Sequence, residues 1–154
     1  MSAKRLITSF VTLLVLGALI WVSWPYALKT LDVSPVVVEE AQILAPFKGA
    51  SMTAGYLTIR SRTSAPLVLK AVKSPAFGRI EIHDTTMNDG VMRMRHVEGL
   101  EIPAFSTITM LPGGMHLMAF EPKRGVVPGA PVPMFLEFEG ISAPVALVVP
   151  VYAR

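Results

Sequence analysis

The stretch Thr107-Ile108-Thr109-Met110-Leu111-Pro112-Gly113-Gly114-Met115-His116-Leu117-Met118-Ala119-Phe120 decides how this chain is read. Two β-prone runs, 107–111 and 115–120, flank Pro112-Gly113-Gly114, which is a turn signal, and the spacing predicts a hairpin. In its second run His116 and Met118 are two residues apart, so a strand would aim both at one face. Outward from here the chain breaks into further short β-prone runs near 36–43, 55–61, 67–71, 79–83, 91–97, 134–139 and 145–151. Tyr56-Leu57-Thr58-Ile59-Arg60 and Phe135-Leu136-Glu137-Phe138-Glu139 alternate apolar with polar, as half-buried strands do. The 13 prolines and 11 glycines fall mostly between these runs. Many short strands broken by frequent turns predict an all-β protein, an antiparallel sandwich or barrel. Beyond the N-terminus no long segment has the 3.6-residue period that a helix would need.

The same stretch supplies half of a second pattern. His83, Met94, His116 and Met118 follow one another as His-x10-Met-x21-His-x-Met. With 3 His and 9 Met in 154 residues, chance would give this arrangement on the order of once in several thousand such chains, by counting matches to a template. The pattern is therefore read as chemistry. Met92, Met94 and His96 would share one strand face, with Arg93 and Arg95 on the other. Imidazole nitrogen and thioether sulfur form a soft, neutral donor set that favours Cu(I). Zinc sites use thiolate, imidazole or carboxylate and have little use for a thioether. Cu(II), which prefers nitrogen and oxygen, is a secondary possibility through His96.

Three segments carry a resemblance. Glu81-Ile82-His83-Asp84-Thr85-Thr86-Met87, Gly90-Val91-Met92-Arg93-Met94-Arg95 and Pro112-Gly113-Gly114-Met115-His116-Leu117-Met118 resemble the ligand strands of the periplasmic copper chaperones of the PCuAC type. The resemblance spans roughly 36–151. It departs at His96, where the family favours proline. It implies a cupredoxin-like Greek-key β-sandwich with His83, Met94, His116 and Met118 as copper ligands. It also implies a recipient: the copper-accepting subunit of a respiratory oxidase, as in cytochrome c oxidase assembly, or another copper chaperone.

Residues 6–24 carry no charge, follow Lys4 and Arg5, and end among Trp21, Trp24 and Tyr26, as a membrane span with an aromatic belt would. This apolar run exceeds the core of a usual signal peptide, and no small-x-small cleavage site follows it. The expectation is an uncleaved transmembrane helix in residues 1–28, with residues 29–154 a monomeric copper-binding domain on the periplasmic side of the inner membrane. Secretion after signal cleavage is the alternative. Lysine and arginine total 14 against 11 acidic residues, and two of those cations flank the span. The basic balance thus does not describe a nucleic-acid surface, and no run of cations interleaved with aromatics appears. With no cysteine in the chain, disulfides, thiol catalysis and a blue-copper thiolate site are all excluded. No hydrolase, phosphate-loop or dinucleotide motif is present, so no enzyme is expected.

Other residues have plainer readings. Met110 and Met134 are expected in the core, and Met52, Met87, Met92 and Met115 in packing. His96 is expected at the solvated surface, Asp84 and Asp89 in a turn at 84–90, and Lys123 and Arg124 in solvent. Two rival functions stand beside the chaperone. One is a copper buffer that does not donate, and the other is a structural sandwich with no metal at all.

Overall fold

The computed structural model describes residues 34–154. The expected transmembrane segment lies outside the described residues. Ten strands form: β1 (Val36–Leu44), β2 (Met52–Ser61), β3 (Leu67–Lys73), β4 (Arg79–Asn88), β5 (Val91–His96), β6 (Leu100–Ile102), β7 (Thr107–Thr109), β8 (His116–Phe120), β9 (Pro131–Phe138) and β10 (Val145–Tyr152). Among the described residues there is no helix, so the all-β expectation holds.

The strands hydrogen-bond in the order β5-β4-β8-β2-β1-β10-β9-β3-β6, and a further contact between β3 and β4 at Val72–Ile80 closes this path on itself. The arrangement is not wholly antiparallel as expected, because β1 and β10 run parallel at Ile43–Val151 and Leu44–Tyr152. Alternation explains which face is inside. On β2 the buried Leu57 and Ile59 point inward, as do Leu117 and Ala119 on β8 and Ile82 on β4. Ile59, Leu69, Ile102 and Leu136 are entirely buried, each contributing about 1.5–3 kcal/mol. Met110 and Met134 join them at 1% exposure, as expected of core methionines.

The hairpin expected over 107–120 does not form. β7 and β8 both lie antiparallel to β2, with Thr109 opposite Thr58 and Leu117 opposite Gly55. Eight steps along one chain match three along the other, so the residues between are looped out of one long, interrupted strand. Bonds from Leu111 N–H to Met115 O (2.9 Å) and from Gly114 N–H to Leu111 O (3.1 Å) close that loop. Pro112-Gly113-Gly114 does turn the chain, but back into the line it left.

The true hairpin beside it is β4–β5. Asp89 and Gly90 both take positive φ, 50° and 76°, the two-residue type I′ turn that matches strand twist. The turn is confined to this pair. Asp84, expected in the turn, instead sits within β4 opposite Arg95, whose guanidinium donates to it at 3.2 Å. β6 went unforeseen because it has only three residues. β9 starts earlier than expected because Pro131 and Pro133 lie beyond the reach of β3, which pairs only Phe135–Phe138. They pair β10 alone, so their missing N–H groups leave no gap in a ladder.

Candidate metal centre

β5, β4, β8 and β2 lie side by side, and their outward faces carry the candidate ligands. Across the sheet His96, His83 and His116 form one row, since His83 is opposite His96 on one side and His116 on the other. The ring of His83 is 5.7 Å from that of His96 and 6.1 Å from that of His116. One step along, Met118 stands between Glu81 of β4 and Ala54 of β2. One step the other way, Met94 stands opposite Thr85. Strand periodicity thus brings all four predicted residues to one face of neighbouring strands.

A cleft of about 330 Å³ opens on that face, and Met94, His116 and Met118 line it together with Met52, Met92 and Tyr56. His83 does not line the cleft but stands beside His116. No carboxylate lines it, and Arg154 is its one charged side chain. Such a lining offers no carboxylate to a hard cation, whose sites are built on oxygen ligands and usually on charged ones. Among the described residues, no three His, Cys, Asp or Glu side chains gather as a metal-binding group. The soft donors on this face are the thioethers of Met94 and Met118 beside the imidazoles.

The two inner histidines are prepared in the same way. His83 Nε2 lies 2.8 Å from Glu81 Oε2. A carboxylate can only accept, so Nε2 carries the proton and Nδ1 keeps the bare lone pair. The Glu81 carboxyl is held below its ordinary range, first by the hydrogen bond from His83 and next by that from Arg79, so it stays an acceptor. Arg79 Nε donates to Glu81 at 2.9 Å and is itself stacked 4.0 Å over the Phe120 ring. His83 Nδ1 is buried and has no hydrogen-bond partner. A buried polar atom left unpaired costs about 1–3 kcal/mol, and a metal ion would relieve that cost. His116 Nδ1 lies 2.9 Å from the Gly114 carbonyl, again an obligate acceptor, which leaves the lone pair on Nε2. A ring held by one nitrogen on a carboxylate or carbonyl is the usual second support of a metal-binding imidazole. Replacing Glu81 with alanine is accordingly expected to weaken metal binding about 10–100-fold with the fold retained, as metal titration with a folding control would read.

Other expectations divide. His96, Lys123 and Arg124 are exposed as expected. Met115 packs against the core. Met87 and Met92, expected in packing, are 62% and 61% exposed, and Met52, at 42%, lines the cleft. They escape the core because all three sit on outward-facing positions of their strands.

Comparison with known proteins fits this geometry. The LpqE-like family, described as "Putative lipoprotein LpqE-like", matches residues 36–151, so the chain belongs to that family, which is of the PCuAC type. A relative from Leifsonia xyli subsp. xyli, named "Putative lipoprotein Lxx21020", is 30% identical over 101 residues, 64% of this chain and 61% of its own length. Less than two thirds of that relative is therefore represented. The apo PCuAC domain from PmoF1 superposes with TM-score 0.66 at 27% identity, covering 80% of this chain and 98% of the domain. The Cu(I)-bound DR1885 of Deinococcus radiodurans gives TM-score 0.63 at 25% identity over 80% and 83%. The copper-bound PCuAC domain from PmoF2, at 24% identity and TM-score 0.67 over 80% and 97%, shares the fold.

Proposed function

We propose that this chain is an extracytoplasmic copper chaperone that carries one Cu(I) on His83, Met94, His116 and Met118 in a cupredoxin-like Greek-key β-sandwich. The observation that carries the reading is the matched anchoring of the two imidazoles. Each has one nitrogen tied to an acceptor two residues earlier, and the other nitrogen is left free to bind metal. Four neutral donors leave the site with the charge of Cu(I) alone, so it gains little from deep burial. Met94, 48% exposed, gives a partner's ligands a place to begin replacing those of the donor. The recipient in this reading is the copper-accepting subunit of a respiratory oxidase, or another copper chaperone.

Family likeness to named lipoproteins favours a place at the outer side of a membrane. Lipid attachment through a thiol has no acceptor among these residues, which include no cysteine. We assign anchoring to the apolar residues 6–24, which follow Lys4 and Arg5 and end among Trp21, Trp24 and Tyr26, and which would hold donor and acceptor in one plane and raise their effective concentration. The mature protein should keep Trp21 and Trp24 and sediment with membranes. A mature N-terminus between residues 23 and 32, found by mass spectrometry, would refute the anchor.

The chaperone reading is tested by mixing the copper-loaded protein with an apo oxidase copper domain. Transfer should outpace release to buffer containing a chelator of equal affinity. Copper that leaves only at the rate of unassisted release would make the protein a buffer.

A further inference from the structure

We propose that Met87 and Met92 form a second, weaker Cu(I) site at the tip of the β4–β5 hairpin, an outer station for metal moving to or from the His–Met site. This inference rests on the copper reading above. The two residues are direct cross-strand partners. In a hairpin closed by a two-residue turn, the flanking pair Asn88–Val91 exchanges hydrogen bonds, and the next pair does not. The bond from Val97 N–H to the Ile82 carbonyl, 2.9 Å, confirms the same parity at the far end. Met87 and Met92 therefore occupy a non-hydrogen-bonded pair, where Cα atoms approach to about 4.5 Å and side chains are closest.

Position alone would not require metal. The exposure is what needs explaining: both side chains stand outside the core, 62% and 61% exposed, next to Val91 at 56%. Methionine here contributes little to packing, and two thioethers facing each other supply soft, neutral donors suited to Cu(I). Continuity gives the pair a direction. Met92 also lines the cleft that holds Met94, His116 and Met118, so the same hairpin face leads from Met87–Met92 past Met94 to His83. Two sulfur donors without an imidazole make a weaker site than the four-residue one, which suits a station that must release its metal.

The test is an anaerobic Cu(I) titration of the full-length protein in detergent, with methionine methyl groups labelled with carbon-13. The first equivalent should shift the methyls of Met94 and Met118. A second, bound at least about tenfold more weakly, should shift those of Met87 and Met92. The double variant Met87→Leu/Met92→Leu should keep the first equivalent, which also shows that it is folded, and lose the second. A single equivalent in the wild type, or a second that persists in the double variant, overturns the outer site and leaves the four-ligand site standing. Failure to bind any Cu(I) overturns both.

Discussion

Replacing His116 with alanine should lower Cu(I) affinity by more than about 100-fold, the upper range seen when only a supporting residue of a metal ligand is lost. The substitution removes a nitrogen donor whose lone pair is already oriented by the Gly114 carbonyl. Its structural cost has two parts, the lost packing of a ring only 7% exposed and a lost hydrogen bond. The Gly114 carbonyl also accepts from Thr85 N–H at 3.2 Å, so it keeps a partner, and one lost hydrogen bond costs about 0.5–1.5 kcal/mol. Competition against a coloured Cu(I) chelator measures the first effect, and urea unfolding the second. An affinity within threefold of wild type would remove His116 from the site.

Met118→Leu and Met134→Leu should part company. Both swaps conserve volume and usually cost under about 1.5 kcal/mol, so both proteins should fold. Met134 is 1% exposed and belongs to the core, and leucine there should leave copper binding unchanged. Met118 lines the outer cleft beside His116. Leucine has no lone pair, so copper should bind clearly more weakly, by tenfold or more if one of four donors is lost at about 1.4 kcal/mol or above. Equal copper retention by the two variants would make Met118 a packing residue, and the site would have to be redrawn around His96.

Much of this was legible in the sequence because strands have a period of two. That period put His116 with Met118, and Met92 with Met94 and His96, before any pairing was known, and the observed register keeps both groupings. Pairing partners were less legible. Pro112-Gly113-Gly114 announces a turn but carries no information on whether the chain folds back on itself or rejoins its line. Rejoining wins here because β2 offers one long edge to both β7 and β8. The parallel β1–β10 contact joins the two ends of the domain, which no local pattern encodes. The acceptors behind the histidines were within reach. Glu81 and Gly114 each stand two residues before their histidine, and on a strand that spacing puts Glu81 on the face of His83. What only the three-dimensional structure adds is that His83 Nδ1 is buried and unpaired.

X-ray absorption at the copper edge, on the protein loaded with one equivalent of Cu(I), tests the central claim most directly. Two nitrogen and two sulfur neighbours are expected, with one sulfur lost in Met118→Leu. A first shell of nitrogen and oxygen alone, or one unchanged by that substitution, would contradict the assignment of His83, Met94, His116 and Met118.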